Sequence, residues 1–276
     1  MTETQKKVKE LVQKLNEGVD SLRNSKSYAD YLKAMSKFPH YSCNNIILIM
    51  MQKPEAAQVA GFNTWKSLGR FVKKGEKGIQ ILAPCPHKKK MTVRDKDGNE
   101  TEETTDVTYL TYRPAYVFDI SQTEGDALPS VCKELEGQVD AKIIDAVVKA
   151  SDVPIEFIDF LQGGANGCYS RDGNCIYVKR SLPDIQKFKT LIHERAHSVL
   201  HNTQEARKLS REIKEVEAES TAYCVCEHFG IDSSDYSIGY VTGWGDDDTN
   251  EIFRQSLARI QKATVEIIKG IENALA

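Results

Sequence analysis

The chain has 276 residues, 40% hydrophobic and 28% charged, so it can bury a sizeable core and is long enough for two domains. The longest uninterrupted apolar run, Ile46 to Met51, is far too short to span a bilayer, and Thr2-Glu3-Thr4-Gln5-Lys6-Lys7 has none of a signal peptide's apolar character, so no membrane association and a cytoplasmic location are expected. The net charge of −3 is unevenly spread: residues 1–125 carry 20 Lys and Arg against 15 Asp and Glu, residues 126–276 carry 17 against 25, and the basic half is a weak pointer to a polyanionic partner.

From the N-terminus, Val8, Leu11, Val12, Leu15, Val19 and Leu22 recur at helical spacing and predict an amphipathic helix over 3–25. A second helical region is expected from Tyr28 to Met51 and a short helix from Asn63 to Leu68. Gly69, Gly75 and Gly78 then punctuate a basic loop that leads into a strand over Ile79–Leu82. Strands at Met91–Arg94 and Val107–Phe118 flank Lys96-Asp97-Gly98-Asn99, whose Asp-Gly suits a hairpin turn. Ser121 to Pro129 is polar and contains Gly125, which makes it the candidate linker. Beyond it come a helix (140–150), a strand (Ile155–Ile158), a turn at Arg171-Asp172-Gly173-Asn174 and a strand (Cys175–Val178). Helical regions follow at 182–202, 210–230 and 249–275, the last behind the acidic run Asp246-Asp247-Asp248. The expected class is α+β, with helices and a small antiparallel sheet in domain 1–125 and a second domain over 126–276. Seven cysteines, an odd number without a C-x-x-C pair, point to reduced thiols.

Within the helical region 182–202, His193-Glu194-Arg195-Ala196-His197 spells H-E-x-x-H. Residues four apart share a face at about 6 Å, so both imidazoles reach one ion, and Glu194 projects beside them. A catalytic zinc takes three protein ligands and keeps one position open, so a third partner is needed downstream. The helix after it offers Glu212, Glu215, Glu217 and Glu219. On a helical wheel Glu215 and Glu219 share a face with Ala218, Ala222 and Cys226, which is expected to be buried, whereas Glu217 lies about 200° away on a more polar side with Cys224 and His228. A buried carboxylate needs a partner, so Glu215 is preferred as ligand and Glu219 as acceptor for a histidine N–H. Glu219 as the ligand, or both carboxylates in ion pairs, stay open as alternatives. His201 would sit about 12 Å along the helix from His193 and reads as a surface or core histidine. Bound zinc lowers the pKa of water to about 7, and Glu194 is then the base that takes its proton and returns it to the leaving amine. The strand Cys175–Val178 is expected to pair with an extended peptide, and Tyr236 and Tyr240 are candidate transition-state donors.

In the first half, Phe62, Trp65 and Phe71 alternate with Lys66, Arg70, Lys73, Lys74 and Lys77. Such interleaving suits base stacking and phosphate contact on a single strand, although aromatics at these spacings also suit a core. Trp65, Arg70, Lys73, Lys74 and Lys77 are the candidate DNA-binding residues. His87-Lys88-Lys89-Lys90 is a second basic cluster.

Two blocks resemble known families. His193-Glu194-x-x-His197 followed by Glu215-x-x-Ala218-Glu219 resembles the pattern of ImmA/IrrE-like metallopeptidases. Val59-Ala60-Gly61-Phe62-x-x-Trp65-x-x-x-Gly69-Arg70-x-Val72-x-Lys74-Gly75-Glu76-Lys77-Gly78 is similar to the N-terminal domain of ArdC-type antirestriction proteins of mobile elements. The resemblance implies a single-stranded-DNA-binding domain joined to a zincin-like metallopeptidase domain, with His193, His197 and Glu215 holding zinc, Glu194 catalytic, and a protein or peptide as substrate. The additional Glu217 leaves the register of the third ligand between Glu215, Glu217 and Glu219. A DNA-binding module with a mainly structural zinc, and a peptidase that cleaves a repressor, are the rival readings.

Overall fold

A computed structural model describes residues 2–22, 25–94, 100–127, 139, 141–231 and 250–276. The expected turn at 96–99, Tyr236, Tyr240, the acidic run 246–248 and part of the linker lie outside them.

The first helix, α1 (Glu3–Ser21), begins at a reciprocal cap: Thr2 Oγ1 accepts from the Gln5 amide at 3.2 Å, and Gln5 Oε1 accepts from the Thr2 amide at 2.8 Å. Its stripe of Leu11, Leu15 and Val19 is buried. The expected helix over 28–51 is instead two, α2 (Ser25–Lys37) and α3 (Cys43–Gln52). Pro39 cannot continue a helix, and Ser42, whose side chain accepts from the Asn45 amide, starts the next one.

After β1 (Val59–Gly61), α4 (Phe62–Ser67) and β2 (Arg70–Val72), two long strands form a hairpin, β3 (Ile79–Arg94) and β4 (Glu100–Asp119). The separate strands expected at 79–82 and 91–94 are one element. The sheet order is β1-β4-β3, all antiparallel, and β5 (Thr123–Gly125) pairs with β2. Ile79 opposite Val117 faces the core; on the other side Gln80 opposes Tyr116, as strand alternation requires.

The second half contains α5 (Ala141–Lys149), a small sheet of β6 (Ile155–Ile158), β7 (Gly167–Ser170) and β8 (Cys175–Lys179), then α6 (Asp184–Leu200), α7 (Gln204–Arg207), α8 (Arg211–His228) and α9 (Asn250–Leu275). The order is β6-β8-β7, with β8 parallel to β6 and antiparallel to β7. This corrects the expectation for Cys175–Val178: β8 is central and its ladder is used on both sides, so among the described residues the edge strand beside α6 is β7.

The helices α8 and α9 pack into two apolar clusters. One joins α1 to α3, β3 and β4 with Tyr223, Cys224, Phe253, Leu257 and Ile260; the other joins α5, β8 and α6 with Ala218, Ala222, Val225, Ile267 and Ile271. Polar contacts stitch the same seam, including Tyr28 Oη with Ser220 Oγ at 2.9 Å and Gln261 Nε2 donating to the Pro39 and Tyr41 carbonyls at 3.1 Å. Among the described residues no helix is long and apolar enough to cross a membrane.

Candidate metal centre

Helix α6 buries Phe188, Leu191, Ile192 and Ala196 and turns His193 and His197 toward a cleft, with side chains 23% and 16% exposed. Their Nε2 atoms stand 3.1 Å apart, and Glu215 Oε2 from the first turns of α8 lies 3.6 Å and 3.7 Å from them. Donors around a tetrahedral ion at about 2.0–2.2 Å are roughly 3.3–3.5 Å from one another, so this triangle is close to what a divalent cation needs. Both Nδ1 atoms are already partnered, His193 by Glu219 Oε2 and His197 by His201 Nδ1, each at 3.0 Å. The Nε2 atoms are therefore the ones turned to a common point, and two imidazoles with one carboxylate are a donor set that fits zinc or a similar divalent ion.

The electrostatics agree with a cation at that point. Burial works against the His193 imidazolium, yet Glu215 and Glu219 outweigh it and raise the group to about 10. The same pairing, first with His193 and then with His197, holds the Glu215 carboxyl well below the usual carboxylate range.

Glu194 is 8% exposed, and its Oε2 accepts the Tyr169 amide of β7 at 2.8 Å. Burial pushes its carboxyl up, against the pull of His193 and His197. The strand comes this close because Gly167 has no side chain: a Cβ there would stand 2.5 Å from Thr190 Cγ2 and 3.0 Å from Glu194 Cγ. Sequence reasoning missed this contact, whose trace is the glycine that opens the strand. A cleft of about 880 Å³ opens over His193, Glu194 and His197 and is lined also by Phe160, Leu161, Arg171, Tyr177, Arg211 and Lys214.

The carboxylates of α8 divide differently from the wheel. Glu215 and Glu219 have side chains 43% and 36% exposed at the cleft, whereas Glu217 is completely buried. The side expected to be polar packs against α9 and the N-terminal helices, taking Cys224 to 0% exposure as well. Burial opposes charge on Glu217, but donors from His201, Arg259 and Ser256 outweigh it and hold its carboxyl below the ordinary range. His201 is 2% exposed, and burial pushes its imidazolium down.

In the N-terminal half the candidates separate. Trp65 is not a base-stacking surface: it is 2% exposed and its indole donates to the Phe118 carbonyl at 2.8 Å. Arg70 clamps β5, donating to Thr123 Oγ1 at 2.9 Å, to the Thr123 carbonyl at 3.2 Å and to the carbonyls of Gly125 and Asp126. Lys73 donates to the Ser121 carbonyl at 2.9 Å, so Arg70 and Lys73 are committed to holding the loop rather than free for phosphates. Lys74 and Lys77 are exposed. Phe62, Phe71, Tyr109, Tyr112 and Tyr116 are each about half exposed. Tyr112 and Tyr116 share one face of β4, and Phe62 meets Phe118 of that face at a ring distance of 6.4 Å. The tyrosines lay in a segment read from its alternation only as a strand.

Residues 2–118 match the family model for the N-terminal domain of anti-restriction factor ArdC, and residues 148–226 match a peptidase family model described as the IrrE N-terminal-like domain. An uncharacterized pXO2 protein of Bacillus anthracis is 26% identical over 97% of this chain, which spans about half (52%) of that relative's length. The metal-free crystal structure of the antirestriction protein ArdC from plasmid R388 aligns with a TM-score of 0.52 and 22% identity, covering 83% of this chain and 85% of that one. Its Mn(II)-bound structure aligns with the same TM-score and 19% identity over 95% and 98%. At these identities the likeness is one of fold, and it extends over both halves. With these two matches in that order along one chain, the protein carries an ArdC-type N-terminal domain followed by an IrrE-like domain, the arrangement in which it is similar to ArdC-type antirestriction proteins.

Proposed function

We propose that the chain is a zinc-dependent metallopeptidase of antirestriction type, acting in the cytoplasm of a cell that carries a mobile element, with an N-terminal part that binds single-stranded DNA. The observation that carries the metal reading is the convergence of His193 Nε2, His197 Nε2 and Glu215 Oε2, with both Nδ1 atoms already partnered. A divalent ion held there supplies Lewis acidity and lowers the pKa of water. Glu194 accepts a proton from the attacking water and returns it to the leaving nitrogen, a role favoured by the upward push of burial on its carboxyl. Its hold on the Tyr169 amide fixes the carboxylate beside His193. The substrate segment is an extended peptide pairing with the edge of β7 along the cleft through groups other than the Tyr169 amide, which Glu194 holds. Support for the DNA reading comes from exposed Phe62, Tyr112 and Tyr116, which suit stacking, and from Lys74 and Lys77, which suit phosphates.

Elemental analysis, proteolysis assays and oligonucleotide binding test the parts separately. The expected results are one zinc per chain, cleavage of a protein substrate abolished by Glu194→Gln with zinc retained, and affinity for a single-stranded oligonucleotide that falls steeply as salt rises. Full antirestriction activity in Glu194→Gln would favour a structural zinc instead.

A further inference from the structure

The two histidines of the motif are oriented by unlike partners. Nδ1 of His193 meets Glu219, a carboxylate at the cleft rim. Nδ1 of His197 meets a second histidine, His201, at 3.0 Å; behind it His201 Nε2 lies 3.1 Å from Glu217 Oε2. The other oxygen of Glu217 accepts from Ser256 Oγ at 2.5 Å, from Arg259 Nε at 3.0 Å and from Arg259 Nη2 at 2.5 Å. Both middle members are sealed from water, His201 at 2% exposure and Glu217 at 0%.

We propose that His201, Glu217 and Arg259 form a buried relay that fixes the tautomer of His197, making His201 a positioning residue for the metal centre; this rests on the metal-binding reading above. The hydrogen bonds determine the direction. An ionised carboxylate only accepts, so His201 donates from Nε2, and the neutral ring then offers Nδ1 as an acceptor. His197 must donate to it from its own Nδ1, which leaves the Nε2 lone pair facing His193 and Glu215. The guanidinium at the far end orients Glu217, and through it every proton in the row. This also accounts for a buried glutamate two residues from the cleft carboxylate, a costly placement for a group needed only to join α8 to α9.

The decisive variant is Glu217→Gln in the full chain. With Arg259 donating to one side, the amide oxygen turns toward the guanidinium and the amide NH2 toward His201. His201 Nε2 then has to accept, its Nδ1 donates, and His197 is left with its proton on Nε2, where a metal must bind. Nitrogen-resolved NMR of the metal-free protein is expected to show the His197 proton moving from Nδ1 to Nε2. Zinc titration against a chromophoric chelator is expected to show about 10–100-fold weaker binding. A paired comparison keeps the test independent of that variant's folding. His201→Asn places an oxygen where Nδ1 stands and is expected to stay within about threefold of the parent, while His201→Leu loses about 10–100-fold. Parental zinc affinity in His201→Leu, or an unchanged His197 tautomer in folded Glu217→Gln, would overturn the relay alone. A parent that binds no zinc would overturn the metal reading and the relay together.

Discussion

Glu215 and Glu217 sit two positions apart on α8, yet one carboxylate faces a cleft and the other is enclosed by three donor residues. Removing them should therefore have opposite signatures. Glu215→Ala is expected to abolish zinc binding while the melting temperature of the metal-free protein changes little, because a side chain 43% exposed leaves no buried group stranded. Glu217→Ala leaves Arg259 and His201 without their acceptor and is expected to cost about 3–5 kcal/mol of stability, read by denaturant unfolding. Equal zinc loss and equal destabilisation in both variants would contradict the division of roles. Trp65→Phe belongs with the second kind: it deletes the donor to the Phe118 carbonyl and is expected to cost about 1–3 kcal/mol without altering oligonucleotide affinity.

Among the elements, the β3–β4 hairpin carries the exposed aromatics and α6 carries the metal motif. Tyr112 and Tyr116 project from one side of the hairpin, so replacing both with Ala is expected to weaken single-strand binding at least about tenfold, measured by fluorescence anisotropy. Unchanged affinity would move the DNA site elsewhere. The two helices bearing the candidate metal ligands were legible because apolar periodicity and i, i+4 histidines are local signals, whereas of the hairpin only the pieces 79–82, 91–94 and 107–118 were, not the single long strand that joins the first two. The break at Pro39 was written in the sequence but outweighed by the apolar run that follows it. The central place of β8 and the burial of Glu217 were not legible, since both depend on which elements arrive from far along the chain. Trp65 shows the same limit: an aromatic among lysines reads alike whether it stacks on a base or beneath a strand.

At the scale of the molecule, α8 and α9 contribute to both apolar clusters, and the cluster of the first half is completed by Tyr223, Cys224, Phe253, Leu257 and Ile260 of the second. Calorimetry is accordingly expected to give one unfolding transition, moved upward by zinc in proportion to the logarithm of its free concentration. Two resolved transitions, only one of them responsive to zinc, would show that the halves melt separately. A fragment holding residues 126–276 alone would expose Tyr223, Phe253 and Leu257 and is expected to aggregate. The position of α8 between two cores also bears on how such a chain can vary. One residue inserted ahead of Glu215 would rotate everything after it by about 100°, swinging the cleft carboxylate aside and driving Glu217 away from its donors in the same stroke. Length changes in this protein therefore have to fall in loops, because a substitution within Glu215-Val216-Glu217 removes one of the two carboxylates from its place whereas a shift of one residue removes both.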